Sequence, residues 1–195
     1  YLIFLDSDDI FSSRTALESL YNKALTNPNL KLIAGKEIKN KKTYFHETHM
    51  VGKLFKREII IKYKIKVPNF RMEEDTAFTL CYNSILNENE KAQINEIVYE
   101  YKNVNSSSIT NVYSLKNNYD LKHYFKAINY SYKYMLKHQS YTYLKKSLIV
   151  ILDTLSIIYF NYYHDCEVDY RERFIQNCFK FYQKYKHYID KIYYI

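Results

Sequence analysis

The chain has 195 residues and a formal net charge of +8, and its 47% hydrophobic and 26% charged residues are typical of a globular protein. Only two glycines and two prolines are present, which excludes collagen-like and linker-rich chains. The three cysteines are too few and too far apart for a disulfide framework or a zinc site. Polar residues interrupt the longest apolar stretch, 148–163, so we predict no membrane-spanning helix.

Charge and tyrosine content change near Leu115. Residues 1–114 hold 16 basic and 14 acidic residues, a net of +2, whereas residues 115–195 hold 13 and 7, a net of +6, together with 16 of the 24 tyrosines. We therefore predict two domains, 1–114 and 115–195. A basic, aromatic surface suits polyanions, but scattered lysines usually form a solvated face and no arginine-rich cluster is present, so we expect no nucleic-acid partner.

The first domain alternates predicted strands and helices. They are, in chain order, a strand buried on both faces at 1–5, a helix from Ser12 or Ser13 to before Pro28, strands at 30–34 and 36–45 with a turn at Asn40-Lys41, a short helix within 53–63, a helix opened by 72–75, and a strand at 94–101. The apolar face of the first helix is predicted to hold Leu17, Leu20, Tyr21, Ala24 and Leu25.

The pattern after residue 113 is helical throughout, and three apolar stripes predict helix–helix contacts. Their members are Leu121, Tyr124, Phe125, Ile128 and Tyr132; Leu144, Leu148, Ile151, Leu152 and Leu155; and Phe174, Cys178, Tyr182, Tyr185, Ile189 and Ile192.

An acidic segment, Asp6-Ser7-Asp8-Asp9, follows the first predicted strand. Ligands bind past the carboxyl ends of strands in open α/β sheets, and crowded carboxylates favour Mg²⁺ or Mn²⁺ and hence phosphate groups. The apolar Ile10 breaks both an EF-hand loop and the Asp-x-Asp-x-Thr motif of haloacid dehalogenase-type phosphatases. The alternative is that Asp9 or Ser12 only caps the following helix.

A second acidic segment, 73–75, opens a predicted helix. A carboxylate at such a position, near a metal-bound phosphate, could take a proton from a hydroxyl nucleophile. The alternative is an ordinary acidic helix N-terminus. His46 and His49, which flank Glu47, lack a third metal-ligand motif and are interpreted as surface or acceptor-side polar residues.

These two segments belong to a series of five motifs in a fixed order. The series is Phe4-Leu5-Asp6-Ser7-Asp8-Asp9, Gly52-Lys53-Leu54-Phe55-Lys56-Arg57, Glu74-Asp75-Thr76-Ala77-Phe78, Tyr99-Glu100-Tyr101-Lys102 and Ser106-Ser107-Ser108-Ile109-Thr110. From Tyr1 to about Thr110 the chain thereby resembles the family-2 glycosyltransferases. The resemblance implies an α/β fold, namely part of a Rossmann-like GT-A sheet with flanking helices, and we expect an all-helical C-terminal subdomain after it.

The resemblance also implies roles for individual residues. Asp8 would coordinate Mg²⁺ or Mn²⁺ at the donor's diphosphate, and Asp6 would contact the ribose or support the metal. Asp75 would be the general base of an inverting displacement, with Glu74 positioning the acceptor or the base. Asp9 would be an accessory residue.

Two further residues would contact the donor in such an enzyme. Lys102 stands where the family commonly has Arg, so it would contact phosphate as a point charge. Ser108 belongs to the segment 106–110, which is either a lid over the diphosphate or an ordinary polar loop.

The expected reaction transfers a sugar from a nucleotide-sugar donor to a surface glycan or a lipid-linked acceptor, and the donor that we expect is a UDP-sugar. The family's N-terminal nucleotide-binding half does not precede Tyr1, so we expect this chain alone to bind donor poorly and to be inactive or nearly so. We expect it in the cytoplasm, where its basic helices could rest against the inner face of the membrane. The alternative is a non-enzymatic basic helical module that binds nucleic acid or a protein.

Overall fold

A computed structural model of the chain describes residues 1–102, 122–160, 164 and 167–189. The chain divides into two compact units, Tyr1–Asn105 and Ser106–Ile195. The predicted domain boundary at residue 115 lies outside the described residues.

The first unit is a mixed sheet of five strands with helices, which agrees with the predicted α/β class. Its elements are β1 (Ile10–Phe11), α1 (Ala16–Thr26), β2 (Leu32–Lys39), β3 (Lys42–Tyr44), β4 (Lys53–Phe55), α2 (Arg57–Lys62), α3 (Glu74–Asn83), a 3₁₀ turn (Glu88–Glu90) and β5 (Lys91–Glu100). The strand order is β1-β5-β2-β3, and β4 also pairs with β2. β2 and β5 are parallel, and the other pairs are antiparallel.

The hairpin of β2 and β3 has the predicted turn. Asn40 and Lys41 have φ angles of 51° and 63°, the left-handed backbone that two-residue hairpin turns need to match the twist of their strands. β2 also continues through Gly35 without a break. A Cβ at Gly35 would lie 2.5 Å from both methyl groups of Val98 on β5, so only glycine allows β2 and β5 to pair this closely.

The prediction of a buried strand at 1–5 is wrong. Leu2 forms a single antiparallel bridge with Phe55, and Tyr1, Leu2 and Leu5 are exposed. Leu2 and Phe55 exchange two backbone hydrogen bonds of 2.8 Å, but the pairing does not continue along β4, so the segment does not become a strand of the sheet. Phe4 instead holds the segment in place, with its ring 5.7 Å from that of Phe55.

The predicted apolar face of α1 is wrong in part. Leu20 and Ala24 are buried together with Ala16, whereas Leu17, Tyr21 and Leu25 are 42%, 52% and 61% exposed. The buried residues recur every four positions, and two of them are alanines, whose small side chains let the helix backbone approach the sheet closely. The face of α1 that packs against the sheet is therefore determined by how closely it can approach the sheet, and not by the size of its apolar side chains.

Helix α3 is buried from Thr76 to Asn83, which fixes its first turn against the sheet. Tyr82 anchors it. Its hydroxyl donates to the Lys31 carbonyl at 2.7 Å and accepts from the Lys56 amide at 2.9 Å, while its ring packs edge-on against Phe55. The position of Glu74 and Asp75 therefore depends on a well-packed aromatic core.

The described part of the second unit consists of helices α4 (Lys122–Lys137), α5 (Tyr141–Ile158) and α6 (Val168–Ile189), so this region is helical as predicted. Buried residues of the predicted stripes are Tyr124, Phe125, Ile128, Tyr132, Leu144, Leu148, Ile151, Leu155, Phe174 and Tyr185. In α6 the prediction that Tyr182 is buried is wrong, because Phe181 takes the inward place. Among the described helices, none is both long enough and apolar enough to cross a bilayer.

Candidate functional site

Asp6 to Asp9 form a turn that directly follows the segment 1–5. The Asp9 amide donates to the Asp6 carbonyl at 3.2 Å. The Asp9 carboxylate is held from both sides at the end of β5, since the Tyr99 hydroxyl donates to Oδ2 at 2.6 Å and the Lys102 amide donates to Oδ1 at 2.8 Å. Asp9 thus ties the acidic turn to the last residues of the parallel strand pair.

Asp6 and Asp8 lie on the exposed side of this turn. Partial burial raises the pKa of the Asp6 carboxyl, and the charges of Asp9, Asp8 and, to a smaller extent, Glu74 raise it further, against a hydrogen bond from Tyr99. Negative charge is therefore crowded here, and a cation would relieve it.

Glu74 and Asp75 occupy the first turn of α3. The chain enters the helix through Glu73, whose backbone is left-handed with φ 65°. The Glu73 carboxylate accepts a hydrogen bond from the Thr76 hydroxyl at 2.8 Å, and Asp75 Oδ1 accepts one from the Thr76 amide at 2.7 Å. A non-glycine residue in this conformation is uncommon and is found often at functional sites.

The pKa of Asp75 is raised to about 6. Burial is the main cause, the charges of Glu73 and Glu74 add to it, and the charge of His49 and the Thr76 amide act in the opposite direction. A carboxylate with a pKa near 6 is a better proton acceptor than an ordinary aspartate and is still ionised at neutral pH.

The two acidic segments approach each other. They are about 65 positions apart in the chain, yet Glu74 is close enough to Asp6 for its charge to raise the pKa of that carboxyl. The roles that the resemblance implies for Asp8 and Asp75 require both to face one crevice, and this interaction acts between the two segments that carry them.

A buried polar cluster that the sequence did not point to lies beside Asp75. Its centre is Glu37 on β2, which is only 1% exposed. Tyr101 donates its hydroxyl proton to Glu37 Oε2 at 2.7 Å, His49 Nδ1 lies 3.1 Å from the same oxygen, and Lys53 Nζ lies 3.9 Å from Oε1. Burial opposes ionisation of Glu37, but the hydrogen bonds and charges of these three neighbours keep its pKa below the usual value.

This Glu37 cluster is part of the same electrostatic site as the acidic segments. Burial lowers the pKa of Lys53 to about 8, against the charges of Glu37 and Asp75. Burial, Glu37 and Asp9 together raise the pKa of Tyr44 to about 12. Lys53 therefore links the cluster to Asp75, and Tyr44 links it to the acidic turn.

His46 stacks on His49, with the ring centroids 3.3 Å apart and the planes 6° from parallel. Burial, followed by the charge of His49, lowers the pKa of His46 to about 4, so this ring is neutral at physiological pH. His49 is thus held by the Glu37 cluster and by a neutral ring, whereas the sequence suggested a surface or acceptor-side polar residue. The available signal was Glu37, which shares the inward parity of Ile33 and Gly35 along β2.

Lys102 contributes its backbone amide to this site, and not its side chain. Its amide binds Asp9, but its ammonium forms an ion pair with Glu100 at 2.5 Å. Ser108 and the rest of the segment 106–110 lie outside the described residues. Within the described ranges, no three or more His, Cys, Asp or Glu side chains are grouped so that they could hold a metal ion by themselves.

Comparison with models of protein families and with curated protein sequences finds no match to this chain. Its function is therefore inferred from the chemistry of the site.

Proposed function

We propose that this chain carries the metal-binding and acceptor-activating part of an inverting glycosyltransferase with a GT-A-like arrangement. The observation that carries the proposal is the electrostatic interaction between Asp6 and Glu74, whose segments have the order and spacing of that family's two acidic motifs. A raised Asp75 pKa beside this contact supplies the base that the reaction needs.

The residues present fit a bound Mg²⁺ or Mn²⁺. Asp6 and Asp8 offer carboxylate oxygens in a turn whose negative charge is crowded, and Asp9 is already occupied by two protein donors. Mg²⁺ is usually held by one or two carboxylates together with substrate phosphates and water, so a site with few protein ligands suits a nucleotide-sugar diphosphate. The metal ion would stabilise the charge that forms on the departing diphosphate.

The chain's own residues would act on the acceptor. Asp75 takes the proton of the acceptor hydroxyl, and the resulting oxygen attacks the anomeric carbon of the donor sugar. The bond from that carbon to the diphosphate breaks, and the diphosphate leaves with the electron pair, so the configuration inverts. Glu74, next to Asp75 in the first turn of α3, orients the acceptor. The acceptor class that this chemistry requires is a hydroxyl of a glycan or of a lipid-linked sugar.

The role of Asp8 is tested by Asp8→Asn, which keeps the size of the side chain and removes its charge. In the full-length protein, we expect Mn²⁺-dependent transfer from UDP-sugars to fall by about 100-fold or more, since a metal contributes several kcal/mol of charge stabilisation. Radiolabelled transfer to p-nitrophenyl glycosides measures this rate.

The matched control is Asp169→Asn on the exposed start of α6, which should leave transfer unchanged. A protein whose wild type transfers no sugar from any UDP-sugar, or whose Asp8→Asn variant transfers at the wild-type rate, would contradict the proposed function.

A further inference from the structure

The hydrogen bonds of the Glu37 cluster determine which ring nitrogen of His49 carries the proton. The Tyr101 hydroxyl has one proton, and Glu37 Oε2, an acceptor at 2.7 Å, receives it. The Tyr101 oxygen lies 2.8 Å from His49 Nδ1 and has only lone pairs left for it. Nδ1 also faces the Glu37 carboxylate at 3.1 Å, so both of its neighbours require a proton on Nδ1.

This arrangement leaves the other ring nitrogen without a partner among the residues that the structure describes. Among the described residues, His49 Nε2 forms no hydrogen bond, although the His49 side chain is fixed on its Nδ1 side and by stacking on His46. The side chain is 29% exposed, so part of it remains accessible to solvent. A neutral imidazole protonated at Nδ1 presents a lone pair at Nε2.

The open edge belongs to the site that contains Asp75. The Lys53 ammonium donates to the His49 carbonyl at 2.5 Å, and His49 and Lys53 are both close enough to Asp75 to interact with it electrostatically. A polyhydroxylated molecule with one hydroxyl at Asp75 can therefore place a second hydroxyl at the edge of His49.

We propose that Glu37 and Tyr101 are positioning residues that hold the proton of His49 on Nδ1, so that Nε2 accepts a hydrogen bond from a hydroxyl of the acceptor sugar. The proposal rests on the proposed function, because it assigns His49 to the acceptor side of that site. The ligand class is a polyhydroxylated acceptor, of which one hydroxyl reacts at Asp75 and a neighbouring one binds Nε2.

Nitrogen NMR of the chain tests the tautomer without any assay of activity. The long-range ¹H–¹⁵N spectrum is recorded well above the ordinary imidazole pKa of about 6.5, and the signals of His49 are assigned by their loss in His49→Asn. We expect His49 to be protonated at Nδ1 and Tyr101→Phe to increase the population protonated at Nε2. Protonation of wild-type His49 at Nε2 would overturn the proposal.

Kinetics of the full-length protein test the substrate contact. His49→Asn keeps an N–H donor near the position of Nδ1 and removes Nε2, whereas His49→Gln keeps an amide near the position of Nε2. We expect His49→Asn to raise the acceptor KM about tenfold, the effect of one lost hydrogen bond, with little change in kcat and in the donor KM. His49→Gln should recover part of the loss.

The outcomes separate the two proposals. An acceptor KM that is unchanged in His49→Asn overturns the contact at Nε2 and leaves sugar transfer standing. A wild type without transferase activity overturns the proposed function and the substrate contact together, while the ¹⁵N spectrum still decides the roles of Glu37 and Tyr101.

Discussion

Replacement of Asp75 by asparagine is expected to lower kcat for sugar transfer by about 10²–10⁴-fold, the usual contribution of a positioned general base. Asparagine retains an oxygen that can accept from the Thr76 amide, so the start of α3 is preserved. The loss then reports the missing proton acceptor rather than a missing helix. Steady-state kinetics with saturating UDP-sugar measure it.

The pH dependence gives a second test of the same residue. Because the pKa of Asp75 is raised to about 6, wild-type kcat/KM should increase as pH rises through about 6 and level off above it. The residual activity of Asp75→Asn should lack this increase. Glu58→Gln, at an exposed position on α2, is the control and should keep the wild-type profile. An Asp75→Asn enzyme with the wild-type rate and profile would exclude Asp75 as the base.

Replacement of Glu37 by leucine is expected to reduce the free energy of unfolding by about 3–5 kcal/mol, because it leaves the cation of Lys53 buried without its partner. The Lys53 side chain is 5% exposed and that of Glu37 is 1% exposed, so water cannot take the place of the lost carboxylate. The same change removes the acceptor of the Tyr101 hydroxyl and of His49 Nδ1. Urea denaturation followed by circular dichroism measures the loss.

A double-mutant cycle separates charge burial from packing. Lys53→Met keeps most of the side-chain volume and removes the cation, so the double variant with Glu37→Leu should recover part of the stability lost in Glu37→Leu alone. Additive losses in the two single variants would show that Lys53 and Glu37 do not interact, which would contradict the structure of the Glu37 cluster.

Features that depend on neighbouring residues were predicted well from the sequence. Asn40 and Lys41 form the predicted hairpin turn, and the helix that starts at Glu74 and the strand that ends at Glu100 lie close to their predicted positions. In each case the signal is local, namely turn chemistry, an acidic first turn or a run of apolar and β-branched residues.

Features that depend on partners distant in the chain were not predicted well from the sequence. The segment 1–5 has the composition of a strand, but strand formation needs a partner, and the segment pairs with β4 only through the single bridge between Leu2 and Phe55. The packed face of α1 was decided by the close fit of Ala16 and Ala24, which hydrophobicity alone does not reveal.

The candidate site shows the same contrast between features set by neighbouring residues and features set by distant partners. Each acidic segment is visible because its residues are consecutive in the sequence, whereas the Glu37 cluster joins residues from β2, the loop before β4 and the end of β5. Glu37 and Tyr101 are 64 positions apart and meet only because β2 and β5 pair in parallel with Glu37 opposite Tyr99. The register of a parallel pair cannot be deduced from either strand alone.

The central claim is that one crevice contains both the cation at Asp8 and the carboxylate of Asp75. Paramagnetic broadening by Mn²⁺ in a ¹⁵N-labelled chain tests it most directly. We expect Mn²⁺ to broaden the amides of 7–9 and 74–76 together and to spare Ala92 at the opposite end of β5, about 30 Å along the strand from Tyr101. In Asp8→Asn we expect Mn²⁺ to broaden neither group of amides. Broadening at 7–9 without broadening at 74–76 would contradict the account.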